Sequence, residues 1–103
     1  MAVSVRIVME VLLDIEKKYP ENFPGLCWSG VPEAWVEIVT KTIEQMLELE
    51  PKLLIDQYKE KYNSLRIYYS LPEGADDTLR PELDCLVRKA ELAVLDLERA
   101  AKP

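Results

Sequence analysis

Lys59-Glu60-Lys61-Tyr62-Asn63-Ser64-Leu65-Arg66-Ile67-Tyr68-Tyr69 is the stretch on which the fold turns. It predicts a β-hairpin with a first strand over 53–61, a turn at Tyr62-Asn63-Ser64 and a second strand over 65–71. Asn63 tolerates the left-handed backbone that tight hairpin turns demand. Pro72 closes the second strand because it has no N–H for a ladder. Side chains alternate along a strand, so Leu65, Ile67, Tyr69 and Leu71 share one face while Arg66, Tyr68 and Ser70 share the other. The simplest register buries Tyr58 and Tyr62 beside Leu65 and Ile67. It turns Gln57, Lys59, Lys61, Arg66 and Tyr68 to a common outer face. Glu60 then points inward, where a carboxylate needs a partner or a bulge that rotates it out.

Outward from the hairpin the chain reads as helices. A helix is expected over 3–18, with Val5, Val8, Met9, Leu12, Ile15 and Tyr19 on one stripe. The alternation of Val3-Ser4-Val5-Arg6-Ile7 makes a short strand the rival reading, and Pro20 ends the element. Residues 21–32 form a loop with turn residues at Pro24-Gly25, Ser29-Gly30 and Pro32. Its apolar Phe23, Leu26, Cys27 and Trp28 imply that it packs on the core. A second helix runs from Pro32 or Glu33 to Leu49, burying Trp35, Ile38, Val39, Thr42, Ile43, Met46 and Leu47. Glu33, Glu37, Lys41, Glu44 and Glu48 face outward, with Glu37 and Lys41 spaced as an i, i+4 pair. Pro51 ends it. A third helix, capped by Asp77 or Thr78 with Pro81 in its first turn, runs to Ala100. Leu83, Val87, Ala90, Val94, Leu97 and Ala101 form its seam, and Leu86, Leu92 and Leu95 lie outside that seam. The expected fold is one α+β domain over 1–103, ordered α-α-β-β-α. A two-stranded sheet is marginal alone and leaves two open edges, so edge pairing in a homo-oligomer is expected.

Composition narrows the functions. The chain of 103 residues has a formal net charge of −6. The segment 59–69 holds three basic residues and one acid, so it is locally +2 and the remainder carries −8. A pI near 4.7 argues against direct nucleic-acid or anionic-membrane binding. No His is present, which removes imidazole as base, shuttle or metal ligand. Cys27 and Cys85 stand alone, too few for a structural zinc site, and are read as reduced, partly buried thiols. No P-loop and no G-x-S-x-G appears, so a non-catalytic protein without cofactor or metal is expected. Arg6 and Glu10 interrupt the apolar start, so neither a signal peptide nor a membrane span is read there, and a cytoplasmic location follows.

Two binding surfaces remain. Lys59, Lys61 and Arg66 offer charge-assisted donors to an anionic small molecule such as a nucleotide. Tyr68 and Trp28 offer faces on which a base can stack, as does Tyr69. The same cations also fit a solvated strand whose lysines discourage edge pairing. Alternatively, acidic helix faces could dock on a basic protein, through Glu33, Glu37, Glu44, Glu48 and Glu50 on the second helix and Asp84, Glu91 and Glu98 on the third.

The hairpin segment resembles a K-E-K-F-G-x-L-R-F-Y signature of small, functionally unassigned proteins from phages and phage-bearing bacteria. Tyr19-Pro20 followed by Phe23 is similar to that family's Y-P-x-x-F, and Ala90-Glu91 to its A-E pair. Trp35 sits where a G-D-G-W motif stands, although Pro32, Glu33 and Ala34 replace the acid and glycine. Asn63 replaces the turn glycine, and the cysteine-rich tail of some relatives is missing. The resemblance implies a phage or prophage accessory protein. In that setting the two surfaces would serve either to sequester a host nucleotide immune signal or, as in anti-CRISPR-like inhibitors, to block a host defence complex.

Overall fold

The computed structural model describes residues 10–24 and 29–101. Its elements are β1 (Glu10–Val11), α1 (Ile15–Lys18), β2 (Val31–Pro32), α2 (Val36–Leu49), β3 (Leu54–Lys61), β4 (Ser64–Ser70) and α3 (Arg80–Ala101). Three helices and an antiparallel hairpin between the second and third make the α+β order α-α-β-β-α. A second, two-residue antiparallel contact joins β1 to β2, with Glu10 opposite Pro32 and Val11 opposite Val31.

The hairpin register follows from its turn. Tyr62 and Asn63 both take left-handed backbone, φ 53° and 62°, the conformation that a two-residue loop needs to match strand twist. Lys61 therefore pairs with Ser64, Lys59 with Arg66 and Tyr58 with Ile67. Tyr62, expected in the core, is 83% exposed, because a residue inside the loop no longer follows the strand's alternation. A bulge between Ile55 and Gln57 leaves Asp56 as the extra residue. It brings Ile55 and Tyr58, three apart, to the same buried face. Glu60 needs no bulge, because its carboxylate accepts the Asn63 N–H at 2.8 Å.

α2 and α3 close over that face. α2 buries Val39, Thr42, Ile43, Met46 and Leu47, and the Thr42 hydroxyl donates to the Ile38 carbonyl at 2.8 Å. Ile38 is half-buried, while Glu37 and Lys41 pair outside at 3.2 Å. A single 3-10 turn, Glu33–Trp35, precedes α2 and places Trp35 in the core. α3 spans 22 residues. Leu83, Ala90 and Val94 are buried, Val87 and Leu97 half-buried, and Leu92 exposed. Its leading turn is capped one residue earlier than expected, by the Asp76 carboxylate on the Thr78 N–H at 2.9 Å. Hydrogen bonding from the Thr78 side chain, and then from its N–H, holds the exposed Asp76 carboxyl below its ordinary pKa.

The N-terminal segment departs most from expectation. Positions 1–9, where the start of the expected first helix and the whole of the rival strand fall, lie outside the described residues. Glu10 and Val11 are extended, and among the described residues before Pro20 the α-helix is confined to Ile15–Lys18. Leu12, expected on the buried stripe, is 63% exposed, whereas Leu13 is buried. Neither residue is helical, and the Leu13 N–H is tied to the buried Tyr58 phenol, which sets Leu13 inward.

Two polar anchors fasten the segment to the hairpin. The buried Tyr58 phenol accepts the Leu13 N–H at 2.9 Å and donates to the Glu16 carboxylate, with Phe23 edge-on to its ring at 6.3 Å. The buried Asn22 amide donates to the Pro51 and Leu53 carbonyls, both at 2.8 Å. Truncating Asn22 strands two carbonyls at the start of the hairpin. Asn22→Ala is expected to cost about 2–4 kcal/mol in urea unfolding, and an unchanged midpoint would show that water satisfies both carbonyls.

Candidate functional site

The residues nominated by sequence assemble on β3 and β4. Lys59 and Arg66 stand directly opposite one another in the ladder, with Gln57 opposite Tyr68 one step away. Residues paired this way share a face, so Gln57, Lys59, Lys61, Arg66 and Tyr68 form one outer surface, as expected. Tyr68 is 45% exposed. The Lys59 ammonium lies 5.8 Å from the Tyr68 ring centre, and the Lys61 ammonium lies 5.7 Å from that of Tyr62. Trp28, the remaining nominated residue, lies outside the described residues, as does Cys27.

Charge on this face is unbalanced. Cross-strand partners have Cβ atoms about 4.5–5.5 Å apart, and like charges placed there repel. The hairpin carries two carboxylates that could offset the cations, and each is engaged elsewhere. Asp56 accepts the Ser70 hydroxyl and Glu60 accepts the Asn63 amide. Tyr69, on the opposite face, donates to Asp84 of α3 while the Arg80 guanidinium lies 5.7 Å from its ring centre. Among the described residues, none of Lys59, Lys61 and Arg66 forms an ion pair.

Sequence alone missed what frames this surface. Ser29 and Gly30 run along the outer edge of β3. The Gly30 N–H donates to the Tyr58 carbonyl at 2.9 Å, and the Tyr58 N–H donates to Ser29 Oγ at 3.2 Å. Gly30 bridges Lys59 in the parallel sense. The apolar residues of the 21–32 loop signalled packing, but not that its end would lie against β3.

The acidic row on α3 is mostly committed. Asp84 holds Tyr69, Glu91 pairs with Arg88 at 3.5 Å, and Glu98 accepts the Trp35 indole N–H at 3.2 Å. On α2, Glu37 is paired with Lys41 and Glu48 is exposed, as is Glu33 in the turn that precedes it. An open groove of about 580 Å³ runs between α2 and α3, lined by Gln45, Glu48, Leu49, Glu82, Cys85, Leu86 and Lys89. The Cys85 thiol is free and exposed, more open than expected, because position 85 falls off the buried seam of α3. Two carboxylates against one ammonium give this groove no attraction for an anion. No group of His, Cys, Asp and Glu among the described residues is placed to hold a metal ion. No helix among them is long and apolar enough to cross a membrane.

Comparison with protein-family models, with curated proteins and with solved structures gives no match to this chain.

The Tyr69–Asp84 contact has a readable pH signature. Burial, reinforced by the hydrogen bond to Asp84 and by its charge and opposed by Arg80, pushes the Tyr69 phenol up to about 12 from 10.0. A raised native pKa means that the native state holds the proton more tightly than the unfolded chain. The contribution is therefore complete below pH 10 and declines as pH rises from 10 towards 12. Urea midpoints of the native protein are expected to fall across that interval relative to those of Tyr69→Phe, and parallel curves would refute the coupling.

Proposed function

We propose that the protein is a non-catalytic phage accessory protein that binds an anionic, phosphate-bearing small molecule on the outer face of β3 and β4. The observation that carries this reading is Lys59 directly opposite Arg66 with no acid paired to either among the described residues. Two cations held together cost stability until an anion lies between them. A phosphate accepts a bidentate bond from the guanidinium and a further bond from the ammonium. Tyr68, half-exposed beside Lys59, supplies a ring for a nucleobase.

Edge protection does not account for the two lysines equally well. They stand on β3, whose edge is already occupied at Tyr58 by Ser29 and Gly30. Among the described residues the open edge belongs to β4, which carries a single charge, Arg66. Sequestration of a host nucleotide signal is the role that this chemistry fits in the phage setting suggested by the hairpin's resemblance. The host's cytoplasm is then where it acts.

Calorimetric titration with pyrophosphate and ATP tests the assignment. Native protein is expected to bind both and to lose affinity as salt rises. Lys59→Ala with Arg66→Ala removes two charge-assisted contacts and should weaken binding about a hundredfold or more. Glu37→Lys with Glu44→Lys should leave binding no weaker. Equal affinity in the hairpin double variant, or no heat with either probe, would sink the reading.

A further inference from the structure

The two edges of the hairpin are not equivalent. Tyr58 directs its N–H and C=O away from β4, to Ser29 and Gly30. Its ladder partner is Ile67. In an antiparallel ladder both members of such a pair direct their amides outward, so the Ile67 amide faces the free side of β4. The turn gives the same phase independently. Lys61 and Ser64 flank a two-residue loop and exchange their bonds with each other, which leaves Leu65, Ile67 and Tyr69 with outward amides. Among the described residues, no hydrogen bond from outside the hairpin reaches the backbone of β4.

That edge also lacks the usual protection. Exposed edges are ordinarily blunted by proline, a bulge or several charges. β4 reads Ser-Leu-Arg-Ile-Tyr-Tyr-Ser, with no proline and one charge, and the bulge lies in β3. Its branched and aromatic residues favour extended pairing.

We propose that β4 pairs antiparallel with β4 of a second copy, about a two-fold axis at Ile67, and that this pairing completes the anion-binding face. Ile67 is the middle residue of the seven-residue strand, so the register uses the whole strand. Ile67 meets Ile67 of the second copy, Leu65 meets its Tyr69, and Ser64 meets its Ser70. The outward amides then fall at the hydrogen-bonding positions, and about six bonds close with none left over. On the outer face Arg66 meets Tyr68 of the second copy, a guanidinium against an exposed ring, and the reciprocal pair forms across the axis. No like charges face each other at the seam. This self-complementarity is what selects a second copy as the occupant.

The consequence for binding is geometric. The two Arg66 residues become diagonal neighbours about 7–8 Å apart, and Lys59 of each copy flanks them. A ligand with several phosphates can span both sets, whereas a single phosphate fills only one. The ligand assignment rests on the anion-binding reading proposed above, but the pairing does not. One strand edge buries less than the roughly 1,200–2,000 Å² of a stable interface. The dimer is therefore expected to be concentration-dependent and to be tightened by a polyphosphate.

Sedimentation velocity in anion-poor buffer, from micromolar to near-millimolar protein, reads the pairing. Native protein is expected to shift from monomer to dimer as concentration rises. Tyr68→Lys sets an ammonium against Arg66 of the other copy at both reciprocal positions, and should weaken association roughly tenfold or more. Arg66→Glu with Tyr68→Lys turns both contacts into opposite-charge pairs and should restore it. Hydrogen exchange supplies a check free of substitutions, because the Leu65, Ile67 and Tyr69 amides should slow as concentration rises. A monomer throughout, a dimer indifferent to both variants, or exchange at these amides independent of concentration would overturn the proposal. Pyrophosphate binding by a protein that stays monomeric would overturn the pairing and leave the anion reading standing, whereas pairing without pyrophosphate uptake would do the reverse.

Discussion

The left-handed backbone at Tyr62 and Asn63 is the constraint on which the rest depends. A two-residue loop leaves one way to align the strands that flank it, and a slip of one residue would carry every side chain to the opposite face. With Lys61 set against Ser64, Tyr58 must enter the core with Ile67, and Lys59 must stand beside Arg66 outside. The buried face and the cationic face are thus one decision. Adopting positive φ costs Tyr62 more than it would cost glycine. What offsets that cost is the Glu60 carboxylate on the Asn63 amide, which closes the loop from the strand that enters it.

Burial of Tyr58 in turn organises the chain around the hairpin. A phenol in the core must bond at its oxygen, and it does so with the backbone of Leu13 and the side chain of Glu16. Its own backbone, turned outward by the register, takes up Ser29 and Gly30. One residue therefore holds both ends of the described N-terminal segment, and Asn22 pins its middle to Pro51 and Leu53. The Trp35 indole, reaching Glu98 near the far end of α3, does for the helices what Tyr58 does for the strands. These polar links lie within a continuous apolar core, so they add specificity of position to an attraction that has none of its own.

Alternation and helical spacing are properties of single elements, and where those properties decided the outcome the sequence was legible. The outer set of Gln57, Lys59, Lys61, Arg66 and Tyr68 needed only period two. The buried stripe of α2 needed only the spacing of Val39, Ile43, Met46 and Leu47. What could not be read depended on partners distant in the chain. Glu10 and Val11 are extended because Val31 and Pro32 lie beside them, overriding a local pattern that fits a helix. The bulge at Asp56 is intelligible from Leu53, Ile55 and Tyr58 all being buried, a spacing of two and then three that strict alternation cannot produce. Carboxylates are the least legible class. Asp84, Glu91 and Glu98 recur every seven residues like a free acidic face, yet each meets a different partner: a tyrosine, an arginine and a tryptophan.

The commitment of these acids sharpens the meaning of the charge distribution. A protein of net charge −6 has carboxylates in excess, and folding could have set one beside Lys59 or Arg66 at little cost. Instead the nearby acids hold a serine, a turn amide and a tyrosine, and the two cations face each other. Screening by water and salt makes the repulsion bearable at a surface, but no ion pair among the described residues relieves it. On the anion-binding reading proposed above, the acidity of the remainder acts as a filter. Long anionic polymers meet a repelling field at long range, whereas a compact anion can reach the cations by approaching the strand face alone. On that reading, a cationic patch on an acidic body suits a small phosphate-bearing molecule better than nucleic acid.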